Sequence, residues 1–78
     1  MSWNWLVDFN SATWEGRDLK FRTTIDSKEY IFVVRSSHLR NAAQRTGPEA
    51  LAINLPLLRG ALLTLATNAQ SGQTLTLN

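Results

Sequence analysis

The chain has 78 residues, a net charge of +2, no cysteine and one histidine. This length gives room for one domain with one core, and folding buries only about 60% of the surface that the unfolded chain exposes. The composition excludes disulfides, and it argues against a structural zinc site, which takes about four Cys and His ligands.

Alternating apolar side chains predict three strands in the first half of the chain. The first strand begins at the N-terminus and has four apolar residues on one face: Trp3, Trp5, Val7 and Phe9. Residues 19–25 and 29–35 form the next two predicted strands, and Asp26 and Ser27 join them in a tight turn. The third strand is apolar on both faces, which is typical of a central strand that is covered on both sides.

Two helices are predicted to follow the strands. Ser36 suits the N-cap of a first helix over residues 37–46, and Gly47 is expected to end this helix in a left-handed conformation. Pro48 can then open a second helix, which is expected to break near Pro56 because proline removes a backbone donor. Residues 73–77 alternate again and predict a last short strand.

The second helix has the strongest periodic pattern in the chain. Its apolar stripe has six members: Leu58, Ala61, Leu62, Leu65, Ala66 and Ala69. Gly60 interrupts this helix at a cost of about 1 kcal/mol relative to alanine, so we expect another backbone to approach it closely. The element order predicts a single α+β domain over residues 1–78. Its small antiparallel sheet of three to four strands would be covered on one face by two helices.

A set of apolar, aromatic and capping positions, running from Phe9 to Leu77, resembles a family of small bacterial proteins of unknown function. The matching residues are Phe9, Trp14, Leu19, Phe21, Tyr30, Phe32, Val34, Ser36, Leu39, Leu75 and Leu77, with a turn at Asp26 and Ser27. The resemblance implies a compact α+β fold of about this size. It implies no active site, because the function of the family is unknown.

The sequence predicts a soluble, cytoplasmic protein. Its start lacks the basic segment and apolar run of a targeting signal. The longest apolar stretch, residues 55–69, is shorter than the roughly 20 residues that a membrane-spanning helix needs.

No catalytic or metal site is predicted, and no cofactor is expected. His38 is the only histidine, and Ser36 and Ser37 next to it suit helix capping better than nucleophilic catalysis. The acidic residues of the first half lie in or beside turns and strand ends, where such residues are usually solvated. We therefore expect a protein that is not an enzyme, and an enzyme built around His38 is the least supported hypothesis.

Nucleic-acid or anion binding is one alternative function. The second half of the chain carries the basic excess, in four arginines: Arg35, Arg40, Arg45 and Arg59. Arginines on one surface can contact phosphates. However, a five-residue step turns about 140° around a helix, so these side chains would not share one face.

Protein binding is the preferred prediction. Trp3, Trp5 and Trp14 crowd the first 14 residues, and tryptophan is enriched at the energetic centres of protein interfaces. The competing interpretation is that these rings complete a small core. We predict a non-enzymatic interaction module that binds a protein partner, or a second copy of itself, through an N-terminal edge strand. A small phage or bacterial inhibitor that acts by steric occlusion would fit the same pattern.

Overall fold

The structure, a computed structural model, describes residues 5–42 and 44–78. It contains four strands: β1 (Trp5–Glu15), β2 (Asp18–Ile25), β3 (Lys28–Val34) and β4 (Thr74–Leu77). One α-helix, α1 (Gly47–Thr67), connects β3 to β4 after a single 3₁₀ turn at Ser36–His38. The fold class is α+β, as predicted.

The four strands form one mixed sheet in the order β1-β2-β3-β4. The first three strands pair antiparallel, whereas β4 pairs parallel to β3. The prediction of a purely antiparallel sheet was therefore wrong at the last strand. The physical reason is the connection, because α1 returns the chain to the end of the sheet where β3 began, and β4 then starts beside it in the same direction.

The predicted hairpin between β2 and β3 is confirmed. Phe21 lies opposite Phe32 in the register, and both side chains are buried. Asp26 and Ser27 have φ angles of 50° and 69°. Positive φ at both central residues is the geometry that suits the right-handed twist of a two-residue hairpin.

The first strand is longer than predicted and contains an irregularity. It pairs with β2 from Trp5 to Asp8, loses register, and pairs again from Thr13 to Glu15. Residues 9–12, between the two paired stretches, have no partner in this register. In the described part of the chain, β1 has β2 as its one neighbour and forms an edge of the sheet.

The predicted helix over residues 37–46 was wrong. Ser36 is not a side-chain cap: its backbone N–H donates to Asp18 Oδ1 at 3.3 Å. Asn41 and Gln44 have φ angles of 52° and 62°, which an α-helix does not accommodate. The tertiary cause is Asn54, whose side chain binds both the backbone N–H and the backbone C=O of Arg40.

The predicted break at Pro56 was also wrong, because α1 is continuous through it. Proline leaves the carbonyl of residue i−4, here Ala52, without its helical donor. Ala52 and Pro56 both lie on the exposed side of α1. Water can therefore satisfy this carbonyl, and the helix continues.

Gly47 begins α1 instead of ending a preceding helix. The side chain of Thr46 accepts a hydrogen bond from the backbone N–H of Glu49, and Pro48 stands in the first turn. A Cβ on Gly47 would lie 2.6 Å from the carbonyl carbon of Ala12, so only glycine allows α1 to start against β1. Gly60, in contrast, has nothing within 4 Å of such a Cβ among the described residues, so the expected close approach was wrong.

The core lies between α1 and one face of the sheet. From the predicted stripe, Leu58, Leu62 and Ala66 are buried, whereas Ala61 is exposed. The buried apolar residues are Ala12, Leu19, Phe21, Ile25, Tyr30, Phe32, Val34, Ala50, Leu51, Leu58, Leu62 and Ala66. One helix, rather than two, covers the sheet in the described part of the chain, and the other sheet face is open.

Candidate functional site

Trp5 and Trp14, two of the three tryptophans that were predicted to anchor a partner, do not form one patch. Trp3 lies outside the described residues. Trp5 stands at the start of β1, opposite Ile25, whereas Trp14 stands at the other end, opposite Leu19. Any site on β1 therefore uses either the Trp5 end or the Trp14 end.

Trp14 has a structural contact. Its half-buried ring packs against the core, and its indole Nε1–H donates to the backbone carbonyl of Arg45 at 2.9 Å. This bond ties the end of β1 to the segment that precedes α1. It also fixes the plane of the ring, since Trp14 has no other hydrogen-bonding group in its side chain.

The Trp5 end of β1 faces a shallow groove between β1 and α1. The groove has a volume of about 220 Å³. It is lined by Trp5, Val7, Phe9, Leu55 and Arg59. The Arg59 guanidinium carbon lies 5.7 Å from the centroid of the Trp5 ring, a distance at which the cation is attracted to the ring face.

Two large apolar side chains in this part of β1 are exposed. Leu6 is 63% exposed and Phe9 is 39% exposed. Sequence reasoning did not single out Leu6. The signal that could have found it is its position between Trp5 and Val7, because alternation sends it to the opposite, open face of the sheet.

The free edge of β1 has little protection against strand pairing. Edge strands are usually guarded by lysine, proline or inward-pointing charges. Residues 5–9 contain neither lysine nor proline. Their one charge, Asp8, forms an ion pair with Arg22 at 3.6 Å. The register with β2 is regular from Trp5 to Asp8, and Phe9 is the next residue of the strand.

The four arginines of the alternative prediction are not brought into one cluster by their contacts. Arg35 pairs with Asp18 at 3.5 Å. Arg45 donates from Nε to the carbonyl of Asn41 at 2.6 Å, and it lies 3.9 Å from Glu49. Arg59 lies over Trp5, and Arg40 is exposed at the point where its backbone meets Asn54.

The side chain of His38 lies beside the C-terminal residue. Its ring Nε2 lies within hydrogen-bonding distance of the backbone carbonyl of Asn78, which fits an Nε2–H donor. Among the residues that the structure describes, no group of three His, Cys, Asp or Glu side chains could hold a metal ion.

By length and composition, α1 is apolar enough to cross a membrane, and it is the one such helix in residues 5–42 and 44–78. Core helices of soluble proteins and signal sequences meet the same criterion. The most apolar window of α1 is 33% buried, and α1 supplies five of the twelve buried apolar residues. The soluble, cytoplasmic location stays a prediction.

Comparisons with protein-family models, with curated proteins and with solved structures found no match. The resemblance to a family of small bacterial proteins therefore also stays a prediction, and the functional argument rests on the geometry of the chain itself.

Proposed function

We propose that this chain is a protein-interaction module that binds a second copy of itself through the free edge of β1. The observation that carries the proposal is the edge segment of residues 5–9. It combines a strand edge that no other described strand pairs with and the exposed side chains of Leu6 and Phe9. Pairing of this segment with its own copy would extend the sheet across both molecules, as in other strand-addition interfaces.

The side-chain pattern of this segment is symmetric about Val7. In an antiparallel pair centred on Val7, Trp5 of one copy lies opposite Phe9 of the other, and Val7 lies opposite Val7. All of these residues share the helix-covered face of the sheet. Aromatic cross-strand pairs of this kind contribute about 0.2 to 1 kcal/mol each, and the pairing would cover the exposed ring of Phe9.

The charges favour the same register. Centring the pair on Asp8 instead would place two carboxylates directly opposite each other, which is destabilising. Centring it on Val7 places Asp8 opposite Leu6 of the second copy. Each Asp8 also keeps its ion pair with Arg22 at 3.6 Å in its own chain.

Self-association also suits the size of the domain. A chain of 78 residues without disulfides has a limited core, and pairing with a copy is one route to additional stability. Five paired residues bury less than the roughly 1,200 Å² of a standard interface, so we expect a weak, concentration-dependent dimer.

Sedimentation equilibrium over a range of concentrations tests the proposal. The informative variants change Leu6, which is exposed and does not belong to the core. Leu6→Glu would face Asp8 of the second copy and should weaken the dimer. Leu6→Lys would face the same carboxylate with a positive charge and should preserve the dimer. Leu57→Glu is the matched control, because Leu57 is 68% exposed on α1.

The opposite effects of the two Leu6 variants separate this register from a general apolar contact. A general contact would be weakened equally by a glutamate and by a lysine. A chain that stays monomeric at every concentration would refute self-association, and so would a dimer that Leu57→Glu disrupts and Leu6→Glu leaves intact.

A further inference from the structure

A second concave surface lies at the other end of β1, between the β1–β2 turn and the segment after β3. This cavity has a volume of about 490 Å³, within the range of roughly 300 to 1,000 Å³ that small-molecule sites occupy. Its apolar walls come from Trp14, Leu39 and Ala42, and its polar groups come from Arg17, Ser36 and Asn41.

The walls of this cavity are held in place by hydrogen bonds that bridge separate elements. The indole of Trp14 is fixed by its bond to the Arg45 carbonyl at 2.9 Å. The loop that carries Leu39 is anchored where Asn54 binds both backbone groups of Arg40. A ligand would therefore meet a surface that needs little ordering, which lowers the entropic cost of binding.

The segment that carries one wall of the cavity does not continue as a helix. Asn41, which lines the cavity, has a φ of 52°, and Gln44, which follows the wall, has a φ of 62°. Asparagine adopts this left-handed conformation more readily than most residues other than glycine, and the conformation directs the segment away from a helix.

The charged side chain that lines this cavity is that of Arg17. Arg17 forms no ion pair with any residue in the described part of the chain. The neighbouring carboxylates are engaged elsewhere: Asp18 is 3.5 Å from Arg35, and Glu15 is 3.5 Å from Lys20. An anionic ligand would therefore find an uncompensated guanidinium at the edge of an apolar cavity, with the hydroxyl of Ser36 as a further donor.

We propose that this cavity binds a small aromatic carboxylate. The aromatic ring packs against Trp14, Leu39 and Ala42, and the carboxylate accepts hydrogen bonds from Arg17. The site is separate from the proposed dimer segment, because Trp14 and Trp5 stand at opposite ends of β1. The two proposals can therefore fail independently.

Phenylacetate is a suitable probe, with 2-phenylethanol and acetate as matched controls for its charge and its ring. We expect saturable NMR shifts of the Trp14 indole N–H and of the Leu39 amide, with a Kd of about 1 mM or tighter. 2-Phenylethanol should bind about tenfold more weakly, and acetate should give no saturable shift. The same titrations with Leu6→Glu show whether binding needs the dimer.

Arg17→Gln tests the role of the cation, and Arg22→Gln is its control, because Arg22 is an exposed arginine of β2 that pairs with Asp8. Arg17→Gln should reduce phenylacetate affinity about tenfold, and Arg22→Gln should leave it unchanged. The proposal is overturned if phenylacetate gives no saturable shift up to about 10 mM. It is also overturned if the two variants bind equally or if 2-phenylethanol binds as tightly as phenylacetate.

Discussion

The side chain of Asn54, buried in the middle of α1, binds both backbone groups of Arg40. It accepts from the Arg40 N–H at 2.7 Å and donates to the Arg40 carbonyl at 2.9 Å, while its second N–H donates to the carbonyl of Ala50 at 2.8 Å. A backbone segment without regular structure must satisfy its polar groups elsewhere. Asn54 does this for the segment that replaces the predicted first helix.

Replacing Asn54 with alanine should lower the free energy of unfolding by about 2 to 4 kcal/mol, because the change leaves a cavity and removes the partners of two backbone groups of Arg40. Urea denaturation measures this loss. Amide hydrogen exchange should also show that Arg40 loses its protection.

Thr64→Ala is the control for that variant. Thr64 also lies on α1 and donates from its hydroxyl to a carbonyl four residues back, that of Gly60, but it is exposed. Its replacement should change stability by less than about 0.5 kcal/mol. Equal losses in the two variants would contradict a special role for Asn54.

The two helical glycines should respond in opposite directions to alanine. Gly47→Ala would place a Cβ against the Ala12 carbonyl, and we expect a loss of about 1 to 3 kcal/mol from overpacking. Gly60→Ala meets open space and should gain up to about 1 kcal/mol from helix propensity. Thermal unfolding of both variants checks the sign, and a stabilised Gly47→Ala would contradict the close approach of α1 to β1.

Pro56→Ala should stabilise the fold by about 1 to 2 kcal/mol, because α1 is continuous and the alanine would supply the missing donor to the Ala52 carbonyl. Pro48→Ala is the matched control. Pro48 stands in the first turn, where no helical donor is lost, so its replacement should be close to neutral. A destabilised Pro56→Ala would show that the helix needs a bend at this position.

Nucleic-acid affinity should be weak. Arg35 and Arg45 are paired with carboxylates, and Arg59 lies over a tryptophan ring. We expect the chain to elute from a heparin column near the void volume even at low salt. Strong retention that falls steeply with salt and is reduced by Arg40→Gln would support the alternative function instead.

The sequence was most informative where local chemistry decides the structure. Alternation predicted β2 and β3, and Asp26 with Ser27 predicted the hairpin turn that joins them. The α+β class and the edge position of the N-terminal strand also followed from local patterns. These features depend on contacts between neighbours in sequence, which propensity and periodicity describe.

The predictions were wrong where contacts between residues that are distant in sequence determine the backbone conformation. Residues 37–46 have a helical pattern, but Asn54, 14 residues after Arg40, holds the backbone in another conformation. The available signal for this contact was Asn54 itself, the one polar residue in the apolar stretch of residues 50–58. The sequence pattern likewise did not predict that Trp5 and Trp14 lie at opposite ends of β1, because their separation depends on how far β1 extends.

Single-cysteine crosslinking tests the proposed self-association most directly, since the natural chain contains no cysteine. In the register centred on Val7, the two Val7 residues lie directly opposite each other with Cβ atoms about 4.5 to 5.5 Å apart, a separation that a small shift closes for a disulfide. The two Leu6 residues are diagonal neighbours, about 7 to 8 Å apart. Under mild oxidation, Val7→Cys should form a covalent dimer, and Leu6→Cys and the distant Leu57→Cys should remain monomeric. Equal crosslinking of all three variants, or none for Val7→Cys, would contradict pairing through the edge of β1.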